Sequence, residues 1–79
     1  MPYDGPNDPS LPADIRRMPQ HARKVFVSTF NAVYRREIAT GRSAKDAEGR
    51  AFPIARSAAQ KAAGAKAGEE VADDMNINF

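Results

Sequence analysis

The sequence predicts an all-α protein: a small helical hairpin, preceded by a short proline-started helix and carrying extended N- and C-terminal arms. Three observations predict it. Ala22, Phe26, Phe30 and Val33 recur at intervals of four, four and three residues, which places them on one stripe of a helix. A break at Thr40-Gly41-Arg42 follows, and then a second alanine-rich stretch with the same period. Strand-like alternation is confined to the final Met75-Asn-Ile-Asn-Phe79, too short to fold alone.

Residues 1–10 hold three prolines, one glycine and three Asp or Asn residues, a turn-rich extended arm without helical period. Leu11-Pro12 then opens a helical turn over Ala13 to Arg17, and Met18-Pro19 repeats the device seven residues later. Proline holds the residue before it extended, so Leu11 and Met18 are expected to plug the core as the chain enters each helix. The long helix runs from Pro19, a residue suited to the first helical position, to Ala39. Val25 and Tyr34 edge its apolar stripe, with Arg23, Lys24, Asn31 and Arg35 on the opposite side. Gly41 is the expected left-handed residue past its end. Ser43, with Asp46 three residues on, resembles a capping box and starts the second helix. Its expected stripe is Ala47, Ala51, Ile54 or Ala55, Ala58 and Ala62, with Phe52 as aromatic anchor. Pro53 removes one backbone hydrogen bond, so this helix is expected to kink there and to end near residue 63. The domain reading is therefore 1–10 arm, 11–64 helical domain and 65–79 acidic tail.

Seventy-nine residues support one small core. The large apolar residues available to it are Leu11, Ile15, Met18, Val25, Phe26, Phe30, Val33, Ile38, Phe52 and Ile54. Cysteine is absent, which removes disulfides and thiolate metal sites. No apolar run approaches the ~20 residues of a membrane span and no leader pattern is present, so a soluble protein without membrane insertion is expected. The net charge of +2 conceals a partition. All twelve basic residues lie between Arg16 and Lys66, opposed there only by Glu37, Asp46 and Glu48. Asp4, Asp8 and Asp14 sit in the head, and Glu69, Glu70, Asp73 and Asp74 in the tail. A basic middle between acidic ends suits an acidic protein surface or a polyanion, with ends able to fold back and compete. Dispersal of the basic residues along the helices is equally what a plain solvated surface would show.

Enzymatic chemistry finds no support. His21 is the only histidine, and with no second histidine or cysteine beside it a structural role is expected. The acidic pairs of the tail lack the glycine and spacing of a calcium loop, and no phosphate loop or nucleophile motif occurs. The expectation is a non-enzyme without metal or cofactor. DNA contact through Arg16, Arg17, Arg23, Lys24, Arg35 and Arg36 would be non-specific and salt-sensitive, since an alanine-rich helix interrupted by proline has few groups to read bases.

Leu11-Pro12, Ile15-Arg16, Met18-Pro19-Gln20-His21-Ala22, Phe26 and Phe30-Asn31-Ala32-Val33-Tyr34 together resemble the pattern of ChaB-like proteins. Gly49-Arg50-Ala51-Phe52-Pro53-Ile54-Ala55 resembles the second block of that family, so the resemblance covers about residues 11–60. It departs where Arg56 stands in place of a tryptophan, where Ala59-Gln60 replaces Val-Lys, and at Pro53. The resemblance implies a small helical, non-enzymatic protein of a family described as cation-transport regulators associated with a calcium/proton antiporter. Similar proteins are encoded by bacteriophages and insect viruses, where virion or DNA-associated roles are expected. The expected partner is thus a larger protein assembly, either the cytoplasmic face of a cation transporter or a viral particle, and the expected location cytoplasm or virion. The expected partner-binding residues are Tyr3, Ile77 and Phe79 as apolar anchors in the arms, with Arg35, Arg36, Arg42 and Arg56 as charged contacts on the body.

Overall fold

The computed structural model describes the chain over residues 2–72, with side chains over residues 2–64. Three helices follow in order: α1 (Ala13–Arg16), α2 (Gln20–Ala39) and α3 (Ala44–Ala72). No strand occurs among the described residues. The protein is all-α. α2 and α3 form an antiparallel hairpin: His21 reaches Ala62, Phe30 meets Phe52, and Glu37 lies near Arg50.

Each expected proline plug is present. Pro12 and Pro19 stand at the N-caps with extended ψ of 148° and 157°. Pro19 is therefore the N-cap and not the first helical residue, and its carbonyl accepts from the Ala22 and Arg23 N–H groups at 3.0 Å. Leu11 and Ile15 are buried, and Met18 packs against them as a partly buried flank.

The turn between the long helices is a complete Schellman motif. Arg42 N–H donates to the Glu37 carbonyl at 3.1 Å and Gly41 N–H to the Ile38 carbonyl at 3.0 Å. Gly41 holds φ at 98°, and a Cβ there would meet no atom within 4 Å. Gly41→Ala therefore isolates backbone strain from any clash, and is expected to lower stability by about 1–2 kcal/mol. A shift in the urea midpoint at unchanged slope checks this. Ser43 caps α3 as expected, its Oγ accepting from Asp46 N–H at 3.1 Å.

Two expectations about α3 are corrected. It is one helix past Pro53 and extends to Ala72, beyond the expected end near residue 63 and through Gly64. Pro53 is exposed, and a Cβ built at Gly49, one turn before it, would meet nothing within 4 Å. Solvent can reach the Gly49 carbonyl that lost its helical donor, which lets the helix continue. The buried stripe is Ala47, Ala51, Ala55 and Ala59, all at 0 % exposure, so Ala55 and not Ile54 takes the core position. Ile54, at 46 %, and Ile38, at 40 %, are exposed although both were expected inside. Val27 is buried in addition.

Bulk on α2 meets the alanines of α3. Phe26, Phe30 and Ile15 are the largest fully buried side chains, each contributing roughly 1.5–3 kcal/mol by leaving water. Their rings extend into a ladder: Phe26–Phe30 at 5.9 Å, Phe30–Tyr34 at 6.1 Å and Phe30–Phe52 at 4.9 Å between centroids.

Candidate partner-binding surface

The non-helical arm lies against the hairpin and takes one broad side of it. Tyr3 is the first anchor. Its ring stands 4.9 Å from Phe30 and 5.8 Å from Phe26. Its backbone is held at both ends by one amide side chain: Tyr3 N–H donates to Asn31 Oδ1 at 2.9 Å, and Asn31 Nδ2 donates to the Tyr3 carbonyl at 3.0 Å. Arg23 is the second anchor, donating to the Pro6 carbonyl at 2.9 Å, the Met18 carbonyl at 2.6 Å and Asn7 Oδ1 at 3.4 Å. Asp8 organises the arm internally, accepting from Asp4 N–H at 3.0 Å and from the Ser10 N–H and hydroxyl at 2.9 and 2.7 Å. The third anchor joins α1 to α3: Arg56 grips Asp14 through two bonds of 2.9 and 3.3 Å.

The residues expected to bind a partner take the following places. Tyr3 was expected to reach a partner, but its ring packs on the chain's own Phe26 and Phe30. Arg56 was expected to make a charged contact elsewhere, but it pairs with Asp14. Arg23 and Asn31, expected to face solvent, hold the arm. Arg42 pairs closely with Glu37 at 2.5 Å. Arg35 and Arg36 are exposed as expected. Ile77 and Phe79 lie outside the described residues.

Glu37 is a centre that sequence reasoning missed. Its side chain is only 14 % exposed, and three guanidiniums gather on it: Arg42 at 2.5 Å, Arg50 at 3.8 Å and Arg36 at 3.9 Å. One carboxylate balances one arginine, leaving a surplus of positive charge held in a fixed arrangement at the closed end of the hairpin. Arg36 and Arg50 are the outer pair, with side chains 65 % and 53 % exposed. A signal for this centre existed, since Arg36 and Arg42 lie next to and five residues beyond Glu37, across the glycine turn that brings them together.

Charge on the arm-covered side responds to pH. Hydrogen bonding from Arg56, together with its positive charge, holds the Asp14 carboxyl below the usual 3.8. Bonds from the Asp4 backbone and from Ser10 lower Asp8 likewise. A carboxyl with a depressed folded-state pKa adds stability above its unfolded value, and that stability is lost as pH falls through the folded value. The arm is therefore expected to loosen below about pH 4. Following the Tyr3 and Asn31 amide resonances through an acid titration checks this, and Asp14→Asn should reduce the acid-dependent part. Tyr3 moves the other way: burial, then the nearby Glu48 and Asp8 carboxylates, raise its phenol above 10.0.

No group of three or more His, Cys, Asp or Glu residues that could hold a metal occurs among the described residues. His21 ties the hairpin, its Nε2 lying 3.0 Å from the Ala62 carbonyl, so the Nε2–H tautomer donates. An open cavity of about 200 Å³ lies under the arm, lined by Tyr3, Phe30, Phe52, Glu48, Ser10 and Pro2. No described helix is long and apolar enough to cross a membrane.

The fold is that of a small all-α protein. Comparison with protein-family models, with curated proteins and with solved structures finds no match to this chain.

Proposed function

We propose that this protein is a non-enzymatic partner-binding protein that docks on a larger protein assembly. The observation that carries the proposal is the unequal use of the two sides of the hairpin. The arm, α1 and the carboxylates Asp4, Asp8, Asp14 and Glu48 belong to one side, judged by the contacts of Tyr3, Arg23 and Arg56. At 100° per residue, the other side carries Val25 and Arg36 from α2, with Arg50, Ile54, Ser57 and Lys61 from α3. Exposed Ile54 and half-buried Val25 stand there among the basic groups, and Arg35 borders them. A surface of this kind suits an acidic protein face carrying some apolar side chains. With Tyr3 engaged by the chain's own core, docking falls to this basic side and to Ile77 and Phe79 in the tail.

The ChaB-like resemblance supplies two destinations, a cation transporter's cytoplasmic face or a viral particle. Recovery of the untagged protein from its source, with partners identified by mass spectrometry, separates them. Arg35→Glu combined with Arg36→Glu is expected to weaken the recovered complex at least about tenfold. Deleting Met75 to Phe79 should abolish it. Binding unchanged by both alterations sinks the proposal. Binding to DNA instead of protein would show itself as an affinity that falls steeply with salt for any sequence.

A further inference from the structure

We infer that the basic side of the hairpin is covered, in the absence of another partner, by the acidic segment Glu69 to Asp74 of a second copy of this chain. The inference stands apart from the proposed function, because it concerns the isolated protein alone.

The charges are complementary and spatially separate. Arg36 and Arg50, one from each long helix, meet at Glu37 and leave most of their donors open to solvent. Ile54 stands beyond them on the same side, one helical turn from Arg50 and 46 % exposed. The segment that matches this pattern lies within the chain: Glu69-Glu70-Val71-Ala72-Asp73-Asp74 brackets two apolar residues between two acidic pairs. Carboxylates on guanidiniums favour the bidentate pairing that fixes register as well as affinity.

Geometry forbids the contact within one chain. α3 is helical to Ala72, and Arg50 lies twenty-two residues earlier, about 33 Å back along the axis. Asp74 is two residues past Ala72, a reach of about 7 Å at full extension. The acidic segment therefore cannot return to its own arginines. It is well placed to reach another molecule's. His21 marks the open end of the hairpin opposite Ala62, so the last ten residues of α3 overhang α2 by about 15 Å. Two copies placed antiparallel would each lay the overhang on the other's basic side. Such an arrangement is isologous and closes at two.

Paired charge reversal in the full chain tests this. One variant carries Glu69→Lys, Glu70→Lys, Asp73→Lys and Asp74→Lys. The other carries Arg36→Glu and Arg50→Glu. Arg36 and Arg50 lie on exposed helix surface, and circular dichroism confirms that each variant folds. Sedimentation of the parent protein at millimolar concentration and low salt should approach twice 8.6 kDa. Each variant alone should remain at the single-chain mass. Their equimolar mixture should regain the double mass, because each tail then meets a clamp of opposite sign. Raising salt should weaken both assemblies, by roughly tenfold or more. A parent protein that stays at the single mass overturns the inference. So does a parent that doubles while the mixture does not.

Discussion

Replacing Phe30 by alanine is expected to remove about 3–5 kcal/mol of stability, the largest effect of any single truncation in this chain. Phe30 is 1 % exposed and sits at the centre of the aromatic ladder, within 4.9 Å of Tyr3 and of Phe52, 5.9 Å of Phe26 and 6.1 Å of Tyr34. The cavity would open between α2, α3 and the arm at once, so no single neighbour can collapse into it. A domain of this size holds roughly 4–12 kcal/mol in total. The variant should therefore lose a large share of its cooperative transition in urea, and its Tyr3 resonances should move toward unfolded values. A midpoint shift worth less than about 1 kcal/mol would mean that the ring ladder is not the core.

The second large effect comes from adding atoms. Ala47, Ala51, Ala55 and Ala59 form a continuous buried seam at 0 % exposure, which lets α3 lie close enough for the phenylalanines of α2 to fill the space between. Ala51→Leu forces three further carbons into this seam and is expected to cost about 1–3 kcal/mol, or more if the helices separate. Ala58, partly exposed beside the seam, is the control: Ala58→Leu should change stability by less than about 0.5 kcal/mol. Thermal unfolding of the two variants decides between a tight seam and a loose one. Equal melting temperatures would show that helix separation is not set by the alanines.

The helices themselves were legible in the sequence because their signals are local. The two apolar-proline pairs, Gly41 and Ser43 each act on their own turn, and each behaves in the structure as its backbone chemistry dictates. The α2 stripe was legible for the same reason, since bulky residues mark their face. The α3 face was less so. A run of alanines carries little contrast, so Ile54 and Ala55 stood as alternatives for one position, and Ala58 was expected where Ala59 is buried. The continuation of the helix through Pro53 was legible, with Gly49 exposed one turn before it. The end of α3 was misplaced because Gly64 and Gly68 lower helix propensity without forbidding the helix.

The candidate site was the least legible part. A turn-rich arm with Tyr3 reads as free, and nothing local says that Asn31, twenty-eight residues away, matches its backbone at both ends. Arg23, Arg42 and Arg56 read as available charge until their partners at Pro6, Glu37 and Asp14 are brought to them by the fold. Of the arginines expected as charged contacts, Arg35 and Arg36 remain exposed, and the hairpin's geometry adds Arg50 beside them.

The account rests on the arm being part of the body, because that contact covers one side of the hairpin and leaves the basic side for docking. Nuclear Overhauser contacts from the Tyr3 ring, read together with hydrogen exchange at its amide, test this directly. Cross-peaks to the Phe26 and Phe30 rings are expected, with slow exchange of the Tyr3 amide that Asn31→Ala abolishes. A Tyr3 ring without contacts to either phenylalanine, and an amide exchanging at the rate of an unfolded chain, would contradict the account.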